Sequence, residues 1–468
     1  MPSTYKHIQL METGIYLLLV CSMLFVSDIE LAGFPVYTFF LLIAALYFMF
    51  IKIVSNRLEE RSFKKNWYMT DILAAAAIVI ALSDMIRKLF RDPDEGAIDF
   101  SIDAKVIAFA LLYLVFMAGS QFKKIYFDLI AYCGLLVTGA YSYVCLTGEP
   151  VAVSAKITEA DSGGIASYFM LFCMVGIYSY CTCKERLRSY FYLAVSLLGF
   201  LALLLNQNIL SFWLMTIYFV AMPVMLRPTA QLVKKDMQLF FLYGFMMSNM
   251  SLITGYTDII FKETAYSLEH SVYLDLLLAV GGILFFHYWE RIPEGIDLER
   301  LVMRRMRKGY RLLLKIITVL LAGIMVSADK WTFLNDDMSG KVLKGFILPL
   351  VESVRESESG FYILFRETGM AGAVLALFFL ILLFIRLWKN WGYDRPVTGI
   401  LILISSVFMV QLLFWKPEIH TLTVYFMLLL FAAFNNEEKV RVKSIKIREE
   451  TLREQAILYG AARQTMEK

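Results

Sequence analysis

Long apolar runs recur along this chain and leave its fold little freedom. Stretches of roughly 17–25 residues, the length that crosses a bilayer as a helix, lie near 9–26, 34–54, 67–89, 104–121, 124–146, 164–183, 188–206, 208–226, 237–254, 272–289, 310–328, 362–386, 396–415 and 420–435. In lipid every backbone N–H and C=O must be satisfied within the protein. Each run therefore reads as a helix, because barrel strands would show short stretches of alternating polarity. With 59% of its residues hydrophobic, the chain is not an ordinary soluble globule. The expectation is an all-α polytopic membrane protein of about fourteen transmembrane helices. Residues 1–435 would form one bundle, followed by a basic tail over 436–468.

Charge sets the orientation, since loops rich in Lys and Arg resist translocation. Basic residues collect in alternate loops, at Lys52 to Lys65, Lys123 and Lys124, Lys184 to Arg188, Arg227 to Lys235, Arg291 to Arg311 and Arg386 to Arg395. The intervening loops are acidic or sparsely basic, the longest being 255–271 and 329–361. An even number of spans then places both termini in the cytoplasm. Lys6 is a thin positive region and no small-residue cleavage site follows the first run, so that helix is expected to stay. The net charge of +4 suits an anionic lipid leaflet rather than nucleic acid. The six cysteines fall mostly inside the runs, so neither a disulfide framework nor a metal is expected. No cofactor motif is present either.

A chain of this kind has few places for ionisable groups, and those places are where chemistry should be sought. Glu269-His270-Ser271 stands at the extracytoplasmic mouth of the run 272–289, with Tyr273 and Asp275 in its first turn. An imidazole beside a carboxylate serves as a general base or as a donor to an oxygen-rich ligand; the same histidine would also suit a helix cap at headgroup level. Asp275 lies one helical turn inside and needs a partner or a wet cavity. A second mouth brings Arg355 and Glu358, then Arg366 and Glu367 about two turns on. The guanidinium fork of Arg366 matches the oxygens of a diphosphate, or else pairs with a neighbouring carboxylate. Lys262 adds positive charge on the same side. Of the four histidines, His420 is the other one placed extracytoplasmically.

The first mouth, through His270-Ser271, Tyr273-Leu274 and Gly281, resembles the signature of the O-antigen ligase and polymerase superfamily. The second, through Glu358-Ser359, Phe361, Glu367 and Gly369-Met370-Ala371-Gly372, looks like the same element. It is also similar to the peptidoglycan polymerases of the shape, elongation, division and sporulation family. The resemblance implies a GT-C-like helical bundle in the bacterial cytoplasmic (inner) membrane. It implies a glycosyltransferase that joins undecaprenyl-diphosphate-linked oligosaccharides on the outer face into a surface polysaccharide, working with a chain-length regulator. On that reading His270, Glu358 and Arg366 are catalytic. Lys262, Glu269, Tyr273, Asp275, Arg355 and Glu367 hold the substrate. Relatives often carry Ser-Arg at the outer turn before the eighth span, where this chain has Asn206-Gln207-Asn208. Either the second mouth takes over that phosphate anchor or the activity differs within the superfamily. A lipid-linked oligosaccharide flippase, or another secondary transporter, is the alternative for so helical a chain.

Overall fold

A computed structural model describes residues 2–22, 30–31, 34–58, 68–90, 100–118, 122–147, 162–206, 209–226, 229–249, 272–289, 372, 374–387, 395–414 and 419–434. The described chain is all-α apart from one two-residue antiparallel ladder, β1 (Glu30–Leu31) with β2 (Phe34–Pro35). The helices are α1 (Pro2–Cys21), α2 (Val36–Leu58), α3 (Met69–Leu89), α4 (Ser101–Met117), α5 (Lys124–Thr147), α6 (Ser162–Thr182) and α7 (Arg186–Asn206). They continue with α8 (Ile209–Met225), α9 (Ala230–Ser248), α10 (Val272–Trp289), α11 (Val374–Leu387), α12 (Arg395–Phe414) and α13 (Ile419–Phe434).

The expected fourteen-helix, GT-C-like bundle is overturned. Among the described residues, 5 helices are long and apolar enough to cross a membrane: Val36–Ser55, Met69–Lys88, Lys124–Thr147, Gly164–Thr182 and Arg186–Asn206. Hydropathy counts apolar side chains but not the helix that carries them. α4 and α8 each have 17 residues, which at 1.5 Å per residue reach about 26 Å against a hydrocarbon core of about 30 Å. α9 puts Lys234, Lys235 and Asp236 inside its first two turns. The run at 310–328 lies outside the described residues.

The chain is a multi-pass membrane protein. Phe39, Phe40, Ile43, Leu46, Tyr47 and Phe50 of α2, with Val79, Ile80 and Ile86 of α3, are large apolar side chains left on the surface. A soluble monomer rarely exposes so continuous an apolar face, and lipid supplies its cover. The basic helix ends also gather together. The start of α3 meets the ends of α4, α11 and α13 through Asp71, Tyr113, Arg386 and Phe434. Lys235 of α9 reaches the end of α6 and the start of α7. At the opposite end Lys88 of α3 pairs with Asp103 of α4 at 2.6 Å, and Tyr37 of α2 packs on His420 of α13. Successive helices thus run up and down.

α6 is the axis of the described bundle. Its 21 residues include no charged side chain, and 89% of its apolar window is buried, as befits a helix that is apolar all round. Small residues let its neighbours come close, the usual device where lipid removes the hydrophobic drive between helices. Gly134 of α5 lies under the Phe172 ring, Gly176 faces Ser196 of α7, and Gly199 of α7 faces Cys173. The same core continues into α1, α2, α4, α5 and α13, with Tyr16 4.7 Å from Phe48, 5.4 Å from Phe116, 5.2 Å from Tyr126 and 5.1 Å from Phe431 between ring centroids.

A Cβ at Gly176 would sit 2.9 Å from Ser196 Oγ and 3.1 Å from its backbone nitrogen. Gly176→Leu is therefore expected to lower stability by about 1–3 kcal/mol through overpacking, read as a lower Tm of the purified protein in detergent. A Tm equal to wild type would show that the α6–α7 crossing is looser than described.

Candidate functional site

The first mouth is reached at one edge. Val272 opens α10 directly after the Glu269-His270-Ser271 cluster, and Tyr273 and Asp275 occupy its first turn as the apolar period requires. Asp275 is half-buried and has found a partner. Asn249, just past the end of α9, directs its Nδ2 at Oδ1 and Oδ2 of Asp275 at 3.2 and 3.3 Å. The same amide donates to the carbonyl of Phe245 at 2.9 Å, which holds it in place. A neutral amide removes part of the desolvation penalty of the carboxylate without cancelling its charge. His270, Glu358, Arg366, Lys262, Glu269, Arg355 and Glu367 lie outside the described residues, as do the loops 255–271 and 329–361 and the tail 436–468. Asn249 was missed in the sequence because it falls inside the apolar run 237–254 and reads there as an isolated polar residue.

The strongest polar constellation among the described residues lies at the basic end. Asp71 is the third residue of α3, and its Oδ2 accepts the Tyr68 backbone N–H at 2.9 Å, closing the first turn. Its Oδ1 receives Arg386 Nη1 from α11 at 3.0 Å and the Tyr113 hydroxyl from α4 at 2.5 Å. Arg386 Nη1 also lies 3.1 Å from Tyr113 Oη and 3.3 Å from Thr70 Oγ1, and Tyr113 Oη is 2.7 Å from Thr70 Oγ1. The guanidinium is held between the rings of Tyr68 and Phe434, at 4.4 and 4.5 Å to their centroids. The Asp71 side chain is 0% exposed and that of Arg386 8%.

Three helices thus surrender a polar group to one desolvated knot. Every oxygen of Asp71 is engaged, so the knot is a tie between α3, α4 and α11 and not a receptor for a ligand. In the sequence Arg386 belongs to a basic loop, and Arg366 is the arginine that stands out. Nothing in the chain order joins residues 71, 113 and 386.

His420 at the opposite end is buried with its ring 3.7 Å from that of Tyr37. Ser22 donates to the Tyr37 hydroxyl at 3.1 Å. That packing makes His420 part of the α1–α2–α13 contact. No group of three or more His, Cys, Asp or Glu side chains converges as a metal site among the described residues.

Removing one partner of a buried ion pair strands the other and costs about 3–5 kcal/mol, whereas apolar replacement of both is often neutral. Asp71→Leu and Arg386→Met should each destabilise the protein by that amount, and the double variant should recover most of the loss. Thermal unfolding in detergent checks this; additive losses in the double variant would show that the pair is not coupled. No protein-family model matches the chain, and neither a curated protein nor a solved structure matches it.

Proposed function

We propose that this membrane protein is a glycosyltransferase of the polymerase or ligase type, acting on the outer face of a bacterial cytoplasmic membrane. Its substrates would be undecaprenyl-diphosphate-linked oligosaccharides, joined into a surface polysaccharide. The observation that supports the reading best is the Asn249–Asp275 pair. It keeps a carboxylate at the mouth of an apolar helix, five positions after His270 in the chain, where the family resemblance expects substrate to enter. Sugar hydroxyls are the ligands that a carboxylate braced by an amide is suited to accept.

In such a reaction the acceptor sugar hydroxyl attacks the anomeric carbon of the donor, and the bond from that carbon to the lipid diphosphate breaks. His270 or Glu358 takes the hydroxyl proton. Arg366, with Arg355 and Lys262, takes up the charge that grows on the leaving diphosphate. Asp275, Glu269, Tyr273 and Glu367 orient the sugars. The second reading is a flippase or another secondary transporter, the other class that a multi-pass helical chain suits.

The test is expression of wild type, His270→Ala, Arg366→Ala and Asp275→Asn in cells that make the lipid-linked repeat, at matched membrane levels. Loss of one charge-stabilising donor typically costs about 3 kcal/mol of barrier, so Arg366→Ala should reduce polymer formation on the order of a hundredfold. His270→Ala should leave single repeats on the outer leaflet. Asp275→Asn should shorten the polymer less severely. Full-length polymer from both alanine variants would end the catalytic assignment, and single repeats retained on the inner leaflet would favour the flippase.

A further inference from the structure

α9 buries a seam made of Leu232, Asp236, Leu239 and Tyr243, the spacing of a helix face turned inward. Three of these suit a packed seam. The fourth is a carboxylic acid, 2% exposed, whose Oδ1 meets no hydrogen-bond partner. Other aspartates among the described residues are supplied. Asp71 has Arg386 and Tyr113, Asp103 has Lys88, and Asp128 accepts the Tyr192 hydroxyl at 2.6 Å.

The neighbouring cation does not serve Asp236. Lys235 spends its ammonium on the carbonyls of Tyr180 and Cys183, both at 3.0 Å, and on Ser189 Oγ at 3.3 Å. It thereby caps the carbonyl end of α6. From α6 the Cys181 thiol, and from α8 the Tyr218 hydroxyl, are the titratable groups close enough for charge on Asp236 to bear on them. The Tyr218 proton is already committed to the Met174 carbonyl at 2.8 Å. α7 contributes Ser189, which goes to Lys235, and α10 contributes Trp289, whose Nε1 donates to the Ala230 carbonyl at 3.0 Å. Among the described residues, no cation and no donor is directed at Asp236 Oδ1.

An ionised carboxylate buried without a partner costs several kcal/mol, and such a group takes up a proton instead. A leucine would fill the seam without that requirement, so the acid brings something that packing does not. We propose that Asp236 is a proton-binding site at the basic end of the bundle, closed by α6, α8 and α9, so that a proton bound from that side favours the closed arrangement. The carboxyl gains one proton on closure and returns it when α9 parts from its neighbours, with no other bond made or broken. By linkage, whatever opens that contact releases the proton, and a proton taken up opposes the opening. The site stands apart from the glycan-transfer reading: it is far along α9 from Asn249 and uses none of the residues assigned to that chemistry.

Dicyclohexylcarbodiimide tests it, because this apolar reagent adds to protonated carboxyl groups in apolar surroundings and spares ionised ones. The full chain in detergent is treated at pH 6 and pH 10, digested, and mapped by mass spectrometry, and an aliquot of each reaction is returned to pH 6 with dodecanoic acid to show that the reagent is still active. The adduct is expected on the peptide carrying Asp236 at pH 6, and should fall about tenfold or more at pH 10. Asp71, whose carboxylate is taken up by Arg386 and Tyr113, should stay unmodified on the same digest. Absence of the adduct from Asp236 at pH 6 while dodecanoic acid reacts would overturn the proposal, as would equal labelling of Asp236 at both pH values or of Asp71 and Asp236 alike. The mapping is done on wild type and needs no variant to fold.

Discussion

The described bundle depends on one helix that carries no charge. α6 is buried on nearly every side, so its neighbours are arranged by how closely backbones approach it and not by polar attraction. Glycines make the approach: Gly134 under Phe172, Gly176 against Ser196, Gly199 against Cys173. Where apolar contact with a neighbour is no better than contact with lipid, this closeness, and the dispersion it gains, is what distinguishes a packed pair from two separate helices. Charged groups are consequently pushed to the ends of the bundle, and the ends are where every ion pair named above is found.

Those ends show what an ion pair can do in this setting. The Asp71–Arg386 knot has no net drive toward folding comparable to the burial of an apolar pair. It has directionality, which apolar contacts lack. A guanidinium fork gripped by one carboxylate, one phenol and two aromatic faces tolerates little rotation of α11 against α3 and α4. The tie therefore specifies register between the early part of the chain and a helix more than 300 positions later, a role for which polar groups in apolar interfaces are well suited.

Much of the helix content was legible in the sequence, because the 3.6-residue period and the need for internal hydrogen bonding act on contiguous residues. The run at 272–289 is α10, and 124–146 differs from α5 by one residue. Two things were not legible. The first was which helices have the length and apolarity to cross a bilayer: α9 was read at 237–254 but spans Ala230–Ser248, since Lys235 extends it inward by bonding to the carbonyls of α6, and hydropathy cannot register a lysine that is satisfied by another helix. The second was pairing. Asp275 announced that it needed a partner, but the identity of that partner, Asn249, is a matter of how α9 and α10 meet. Asp71 and Arg386 are each unremarkable in their own segments and acquire meaning only together.

Asp236 and Asp71 share their chemistry and their burial, and only the surroundings differ. At Asp71 three helices converge to neutralise the charge, and a change there would be felt throughout the packing. At Asp236 the described helices converge and direct no donor at Oδ1, although Lys235 is the adjacent residue and only a different rotation of α9 would be needed to bring its ammonium inward. Lys235 instead anchors the end of α6, which fixes that rotation. The same bond that seats α9 on the axis of the bundle therefore leaves the acid unpaired. A charge without a partner in a packed seam is stable only as its neutral form, and the neutral form of a carboxylate is a bound proton.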